Sequence, residues 1–390
     1  MGATRSDPNL LADVRKFGRF DTNACLQCGS CTLSCALTSD SASFPRRTLR
    51  YALLGLREPL HGSLDPWLCY YCGDCSTACP RDSEPGEGMM TLRRYLAAQY
   101  DWTGLTSKIY RSAAWEIGSN VVVGLLTLAL IVLYHLYVVE ATLSDLANPE
   151  FAGSMSLEHM FGRITIFTRV VLLLALFFLL ANAARMYWLT MRRGVSHRIP
   201  LHLYLTEAKA FVAHALTQRR MRECTDRSRW YFHSLLVFGC VLIFALLFFG
   251  LEWFQTDEIY PLYHPQRWLG YLATAAILVG IGELFVGRIR KRTQQHRFSE
   301  PTDWILPVML LLTVLSGIAI HLLRYMGLGA AAHYTYAAHV VVSVPLLLIE
   351  MPFGKWSHMI YRPLAMYFQA VREGALQRQP SAEAVPSHAS

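Results

Sequence analysis

The chain has 390 residues, 53% of them hydrophobic and only 16% charged, with a mean hydropathy of +0.27. That balance excludes an ordinary soluble protein and points to a multispan membrane protein. The formal charge of +8 does not indicate nucleic acid, because the basic residues cluster in short segments between apolar runs, as membrane topology requires.

The first twenty residues are polar and carry both signs of charge, so no signal peptide is expected and the N-terminus is expected to stay in the cytoplasm. Eight of the ten cysteines follow in two runs, CLQCGSCTLSC from Cys25 and CYYCGDCSTACP from Cys69, each spaced C-x2-C-x2-C-x3-C. In a reducing compartment this spacing argues for metal and against a disulfide framework. Three thiolates at steps of three suit one face of a cubane, with the fourth reaching a second cluster, whereas zinc prefers paired C-x2-C units. Two [4Fe-4S] clusters are therefore expected, one on Cys25, Cys28, Cys31 and Cys79, the other on Cys69, Cys72, Cys75 and Cys35. Pro80 fits the bacterial ferredoxin form, and Ala36 in the first run departs from it.

Between the runs, Leu49, Leu53, Leu54 and Leu56 recur at near-helical spacing, and Pro59 is expected to stop the helix. After the second run, Met89, Leu92, Leu96 and Tyr100 make a helical stripe. The segments RTLRYALLGL, WLCYYCGDCSTACPRD and MMTLRRYLA resemble the C subunit of heterodisulfide reductase over roughly residues 20–100.

Six apolar stretches long enough to cross a bilayer are predicted near 114–138, 164–190, 231–251, 267–287, 303–323 and 334–358. Segment 192–229 holds nine Lys/Arg and 288–300 holds five, whereas 140–163 and 252–266 are acidic. By the positive-inside rule both termini face the cytoplasm, with Trp102, Tyr110 and Trp115 anchoring the first span at the interface. The sequence thus reads as all-α: an α-helical two-cluster ferredoxin domain (1–108), a six-helix haem-binding transmembrane bundle (109–365) and a disordered tail (366–390).

Histidines inside the spans are the candidate haem ligands, since an ionisable group at membrane depth is costly and usually functional. His233 opens the third span; His339 and His358 lie toward opposite ends of the sixth. On one helix those two would be roughly 28 Å apart and about 100° out of line. His233 with His358 would hold one haem b. A second haem would need His339 with His321 or His135, of which His321 is preferred. Glu283 and Glu350 are candidate proton carriers at a quinone site. GIGELFVG at 280–287 reads as small-residue helix packing, and Cys224 and Cys240 as isolated thiols.

HVVVSVPLLLIEMPFGKWSHMIYRP, from His339 to Pro363, resembles the last helix of the cytochrome b (gamma) subunit of respiratory nitrate reductases, although the second histidine of the earlier helix is missing near Ile243 and Phe244. The two resemblances in one chain are similar to the C subunit of quinone-interacting membrane-bound oxidoreductase complexes. That resemblance implies an oxidoreductase subunit of the prokaryotic cell membrane that exchanges electrons with menaquinone. It further implies two cytoplasmic flavin and iron-sulfur partners related to heterodisulfide reductase A, and electron exchange with adenylylsulfate reductase.

Overall fold

The computed structural model describes residues 5–21, 24–39, 43–154, 157–195, 199–223, 226–254 and 256–377. Among them the secondary structure is helical, with no β-strand. The elements used below are α1 (Ser30–Leu33), α2 (Arg46–Leu53), α3 (Asp74–Thr77), α4 (Pro85–Tyr100), α5 (Ala113–Tyr137), α6 (Leu157–Tyr187), α7 (Leu201–Thr206), α8 (Ala208–Thr217), α9 (Ser228–Phe249), α10 (Pro265–Arg290), α11 (Thr302–Tyr325), α12 (Gly329–Pro345) and α13 (His358–Gln377). Short π-helical segments prolong α6 through Trp188–Arg193 and α12 through Leu346–Glu350.

Six helices are long and apolar enough to cross a membrane: Ala113–Tyr137, Thr165–Arg193, Ser228–Phe249, Pro265–Arg290, Thr302–Tyr325 and Gly329–Glu350. Only 6% of the apolar window is buried in the third and the fifth, so these helices present apolar surface outward, as lipid-facing helices do. The sixth stops at Glu350, short of the expected 358. Pro352 and Gly354 follow, and the chain restarts as α13 at His358, so His339 and His358 do not share a helix.

The chain forms two compact units. One comprises residues up to 96, 183–225 and 358 onward; the other comprises 97–182 and 226–357. The first unit is thus larger than the expected 1–108 module. The expected tail is corrected too: residues 366–377 are helical, and Tyr361, Ala365, Phe368, Val371 and Ala375 bury one face of α13 at helical spacing. Tyr361 packs edge-on against Trp67 at 5.0 Å, and Phe368 lies against Tyr187 at 5.7 Å. Arg372 donates to the carbonyls of Gly62, at 3.0 Å, and Thr190.

In the same unit Met89, Leu92 and Leu96 of α4 are completely buried. Helix α2 ends at Leu53 because Gly55 turns left-handed at φ 70°, where an added Cβ would sit 2.5 Å from the Asp7 carbonyl. Pro59, expected to be the stop, lies inside the next short helix, Arg57–His61.

In the second unit α9 packs on α10, α11 on α12, and α5 on α12. Closest approach falls at glycines: a Cβ on Gly280 would lie 2.6 Å from the Leu236 Cβ, and one on Gly239 would lie 2.8 Å from the Ala273 carbonyl. The break after Glu350 is held by Asn182, which donates to the Pro352 carbonyl at 3.2 Å, and Tyr110, which donates to that of Gly354 at 3.1 Å. Tyr110 is therefore turned inward and is no interface anchor, whereas Trp102 and Trp115 are exposed.

Gly280→Leu is expected to force α9 from α10 and to cost about 3 kcal/mol, read as a lower unfolding midpoint in detergent. In the first unit His61 hydrogen-bonds the Tyr95 hydroxyl at 2.9 Å, and burial, with Arg57 and Arg185 nearby, pushes its imidazole down to about 4 from 6.5. The folded state then binds fewer protons than the unfolded one between those values, so this stability is present above 6.5 and lost as pH falls toward 4. The loss has an upper bound of ~3 kcal/mol, and His61→Gln is expected to flatten that acid slope in a pH-resolved thermal melt.

Candidate functional site

The two cysteine runs adopt one backbone design. Gln27 and Tyr71, each between the first two cysteines of its run, have positive φ (57° and 55°), and Gly29 and Gly73 follow at 90° and 92°. These turns start the short helices α1 and α3, which pack on each other. Glycine is required at 29 and 73 because an L side chain strains at such φ.

The turns sort the thiols into two groups. Cys25, Cys28, Cys31 and Cys79 line one small cavity; Cys35, Cys69, Cys72 and Cys75 line another. Burial pushes the Cys35 thiol up to about 12, and raises those of Cys31, Cys69 and Cys75. Neighbouring thiolates add to the effect at each. Thiols gathered around one cavity are poor company as bare anions and become favourable around a cationic metal centre. Cys28 is the exception: it is exposed, and hydrogen bonds from Ser30 lower its thiol.

Donors surround the sulfurs. The Gln27 amide reaches Cys25 Sγ at 3.2 Å, the Ser83 N–H reaches Cys79 Sγ at 3.4 Å, and the Tyr71 N–H reaches Cys69 Sγ at 3.3 Å. Tyr71 is fixed in its left-handed turn by a 2.6 Å hydrogen bond to the buried Glu87, which Arg94 pairs at 3.2 Å. Asp65, just ahead of Cys69, is buried and accepts from Arg47 at 2.8 and 3.2 Å and from Thr48 at 2.5 Å, tying the second run to α2. Sequence reading missed Asp65 and Glu87; the only signal was an acid opening each of two helices, at DPW and PGEG.

In the second unit a cavity of about 770 Å³ opens among the spans, lined mainly by apolar side chains, with His339, His321, Tyr271, Arg267 and Cys240 among its polar or polarisable members. The Ser316 hydroxyl reaches the Leu312 carbonyl at 2.7 Å and His339 Nδ1 at 2.9 Å; when it donates to the carbonyl it accepts from His339 Nδ1–H, and the lone pair is then on Nε2. His321 commits its Nε2 to the Tyr271 hydroxyl at 2.9 Å.

His135 is not on this cavity. It is buried, its Nδ1 donates to the Ile131 carbonyl at 2.7 Å, and its ring stands at 89° to that of His333, 5.6 Å away. His333, just inside the start of α12, was not singled out from the sequence. His233 belongs to the second unit and His358 to the first. Glu283 accepts from Arg292 at 3.0 Å, while Glu350 is wholly buried. Cys224 lies outside the described residues.

Residues 24–83 match the 4Fe-4S dicluster domain family. A protein of Archaeoglobus profundus described as like the C subunit of heterodisulfide reductase is 32% identical over 119 residues, covering 30% of this chain and 63% of the relative. The E subunit of the dihydromethanophenazine:CoB–CoM heterodisulfide reductase of Methanosarcina thermophila is 28% identical over 170 residues, 39% of this chain and 62% of the relative. The chain thus spans just under two thirds of each of these curated relatives. No solved structure matches. The chain is accordingly a multi-pass membrane protein with a 4Fe-4S dicluster domain and with relatives among the C and E subunits of heterodisulfide reductases.

Asp65→Ala would strip Arg47 of its partner; a stability loss of about 2 kcal/mol is expected, together with reduced iron per chain. Unchanged iron content would show that the Asp65 anchor does not position the second cysteine run.

Proposed function

We propose that this chain is the quinone-reactive membrane subunit of an oxidoreductase complex related to heterodisulfide reductase. In this reading it passes electrons between a membrane quinone of the menaquinone class and cytoplasmic flavin and iron-sulfur subunits. The observation that carries it is the sorting of eight cysteines into two crossed groups of four, on a chain with six spans, five of which line a mainly apolar cavity that holds His321 and His339. Bound [4Fe-4S] clusters and haem b would supply one-electron transfer. The name of the Methanosarcina relative, which pairs dihydromethanophenazine with a heterodisulfide, supports this class. The excess of Lys/Arg in 192–229 and 288–300 supports a cytoplasmic first unit with both termini on that side. Adenylylsulfate reductase as the soluble electron partner rests on the family resemblance, and the wiring serves either direction of flow.

Cys25, Cys28, Cys31 and Cys79 would hold one cluster, and Cys35, Cys69, Cys72 and Cys75 the other. The N–H donors at Cys25, Cys69 and Cys79 would offset sulfur charge. His339 would hold a haem iron through Nε2, with Ser316 engaging its Nδ1. His321, with Nε2 on Tyr271, better fits a hydrogen-bonding pair that orients a quinone carbonyl and relays its proton. His135 and His333 are the pair on which a second haem would depend; the His135 Nε2 is buried without a partner among the described residues.

The test is anaerobic purification of the full chain, quantification of iron, sulfide and haem, and addition of a menaquinol analogue while the visible spectrum is recorded. His339→Ala is expected to lose haem with non-haem iron and sulfide retained. Tyr271→Phe and His321→Phe are expected to keep haem and lower its rate of reduction by quinol at least tenfold. Haem loss in His321→Phe would instead make His321 a residue that holds the haem. Wild-type protein whose centres quinol cannot reduce would leave the chain a membrane anchor.

A further inference from the structure

Glu116 on α5 and Glu350 at the end of the π-helical turn after α12 are both completely buried in the second unit. Asn120, one turn beyond Glu116, donates from Nδ2 to Glu350 Oε1 at 2.8 Å and to the Glu116 carbonyl at 2.9 Å. Both carboxyl oxygens of Glu116, and Oε2 of Glu350, lack a hydrogen-bond partner among the described residues, and the two carboxyl groups act directly on each other. The other charged groups facing them are Lys355 and Asp303, which are paired with each other; Lys355 also donates to Thr302 Oγ1 at 2.7 Å.

The surroundings make room for these acids. A Cβ on Gly354 would collide with Glu350 Oε2, so only glycine leaves space for the carboxyl. The π-helical turn puts an extra residue into the helix at this point, a feature frequent at functional sites. Two carboxylates buried together, whose facing cation Lys355 is shared with Asp303, repel each other when both are charged; a shared proton satisfies them at the least cost. Leu346, Leu347 and Trp356, which line the 770 Å³ cavity, bracket Glu350 along the chain.

We propose that Glu116 and Glu350 form a paired-carboxyl site that holds one proton between them and gives or takes it beside the intramembrane cavity. Uptake converts one carboxylate to the acid, which donates to the other; release reverses this, and no electrons are involved. Coupling of that proton to quinone turnover rests on the function proposed above, whereas the site itself does not.

Infrared spectra of the oxidised full chain, which need neither quinol nor turnover, test the site. At neutral pH the wild type is expected to show a carboxylic-acid carbonyl band, downshifted in D2O, that is lost in the E116Q/E350Q double variant and displaced in each single variant. Identical spectra for wild type and double variant would overturn the proposal. Should the double variant not fold, Asn120→Leu keeps both acids and removes the donor to the Glu350 carboxyl: a displaced band supports the pair, and an undisplaced one overturns it. A band that passes these tests yet does not respond to a menaquinol analogue would leave the site standing and count against the quinone reading alone.

Discussion

Everything in the spanning part follows from the cost of leaving a backbone N–H or C=O unpaired in an apolar medium. Helices meet that cost along their length, so the place where a helix breaks must be provided with partners. The break after Glu350 shows how: Asn182 and Tyr110 take the carbonyls of Pro352 and Gly354, and Ile109, Ile349 and Phe353 close over it. Because the break is satisfied, the chain can leave the sixth span and begin α13 as a separate amphipathic helix. The same polar corner is where Glu116, Asn120 and Glu350 meet.

The first unit solves a different problem. Its cavities must hold four thiols each, and buried sulfur repels its neighbours once charged. Local turns repeated at Gln27–Gly29 and Tyr71–Gly73 aim the sulfurs, while Asp65 and Glu87 hold the turns from behind. Aromatic and arginine contacts then fasten α13 and the 183–225 segment: Tyr361 on Trp67, Arg362 over the Tyr70 ring at 4.0 Å, and Arg372 on the carbonyls of Gly62 and Thr190. Recruiting helices distant in sequence gives a short cysteine-rich segment more apolar surface to bury than it carries itself.

The histidines show the limit of reading depth from position. Counting 1.5 Å per residue along an assumed continuous helix set His339 and His358 at two levels of one span, and one proline-glycine break removed the assumption. His321 and His339 do line one cavity, but their hydrogen bonds distinguish them, since Ser316 engages the Nδ1 of His339 while Tyr271 engages the Nε2 of His321. Sequence position carries no information about which nitrogen is occupied.

By itself the sequence determined what is local: helical class, the start and end of five spans to within a few residues, the stripe on α4, and the positions of the eight cysteines. Each follows from spacing within a few turns of chain. Tertiary structure alone decided the end of the sixth span and the docking of α13. It also decided that Glu283 is spent on Arg292, and that Glu116, absent from any motif, faces Glu350. These depend on which side chains meet across helices distant in sequence, and hydrophobic periodicity records only that a face is buried, not what it meets.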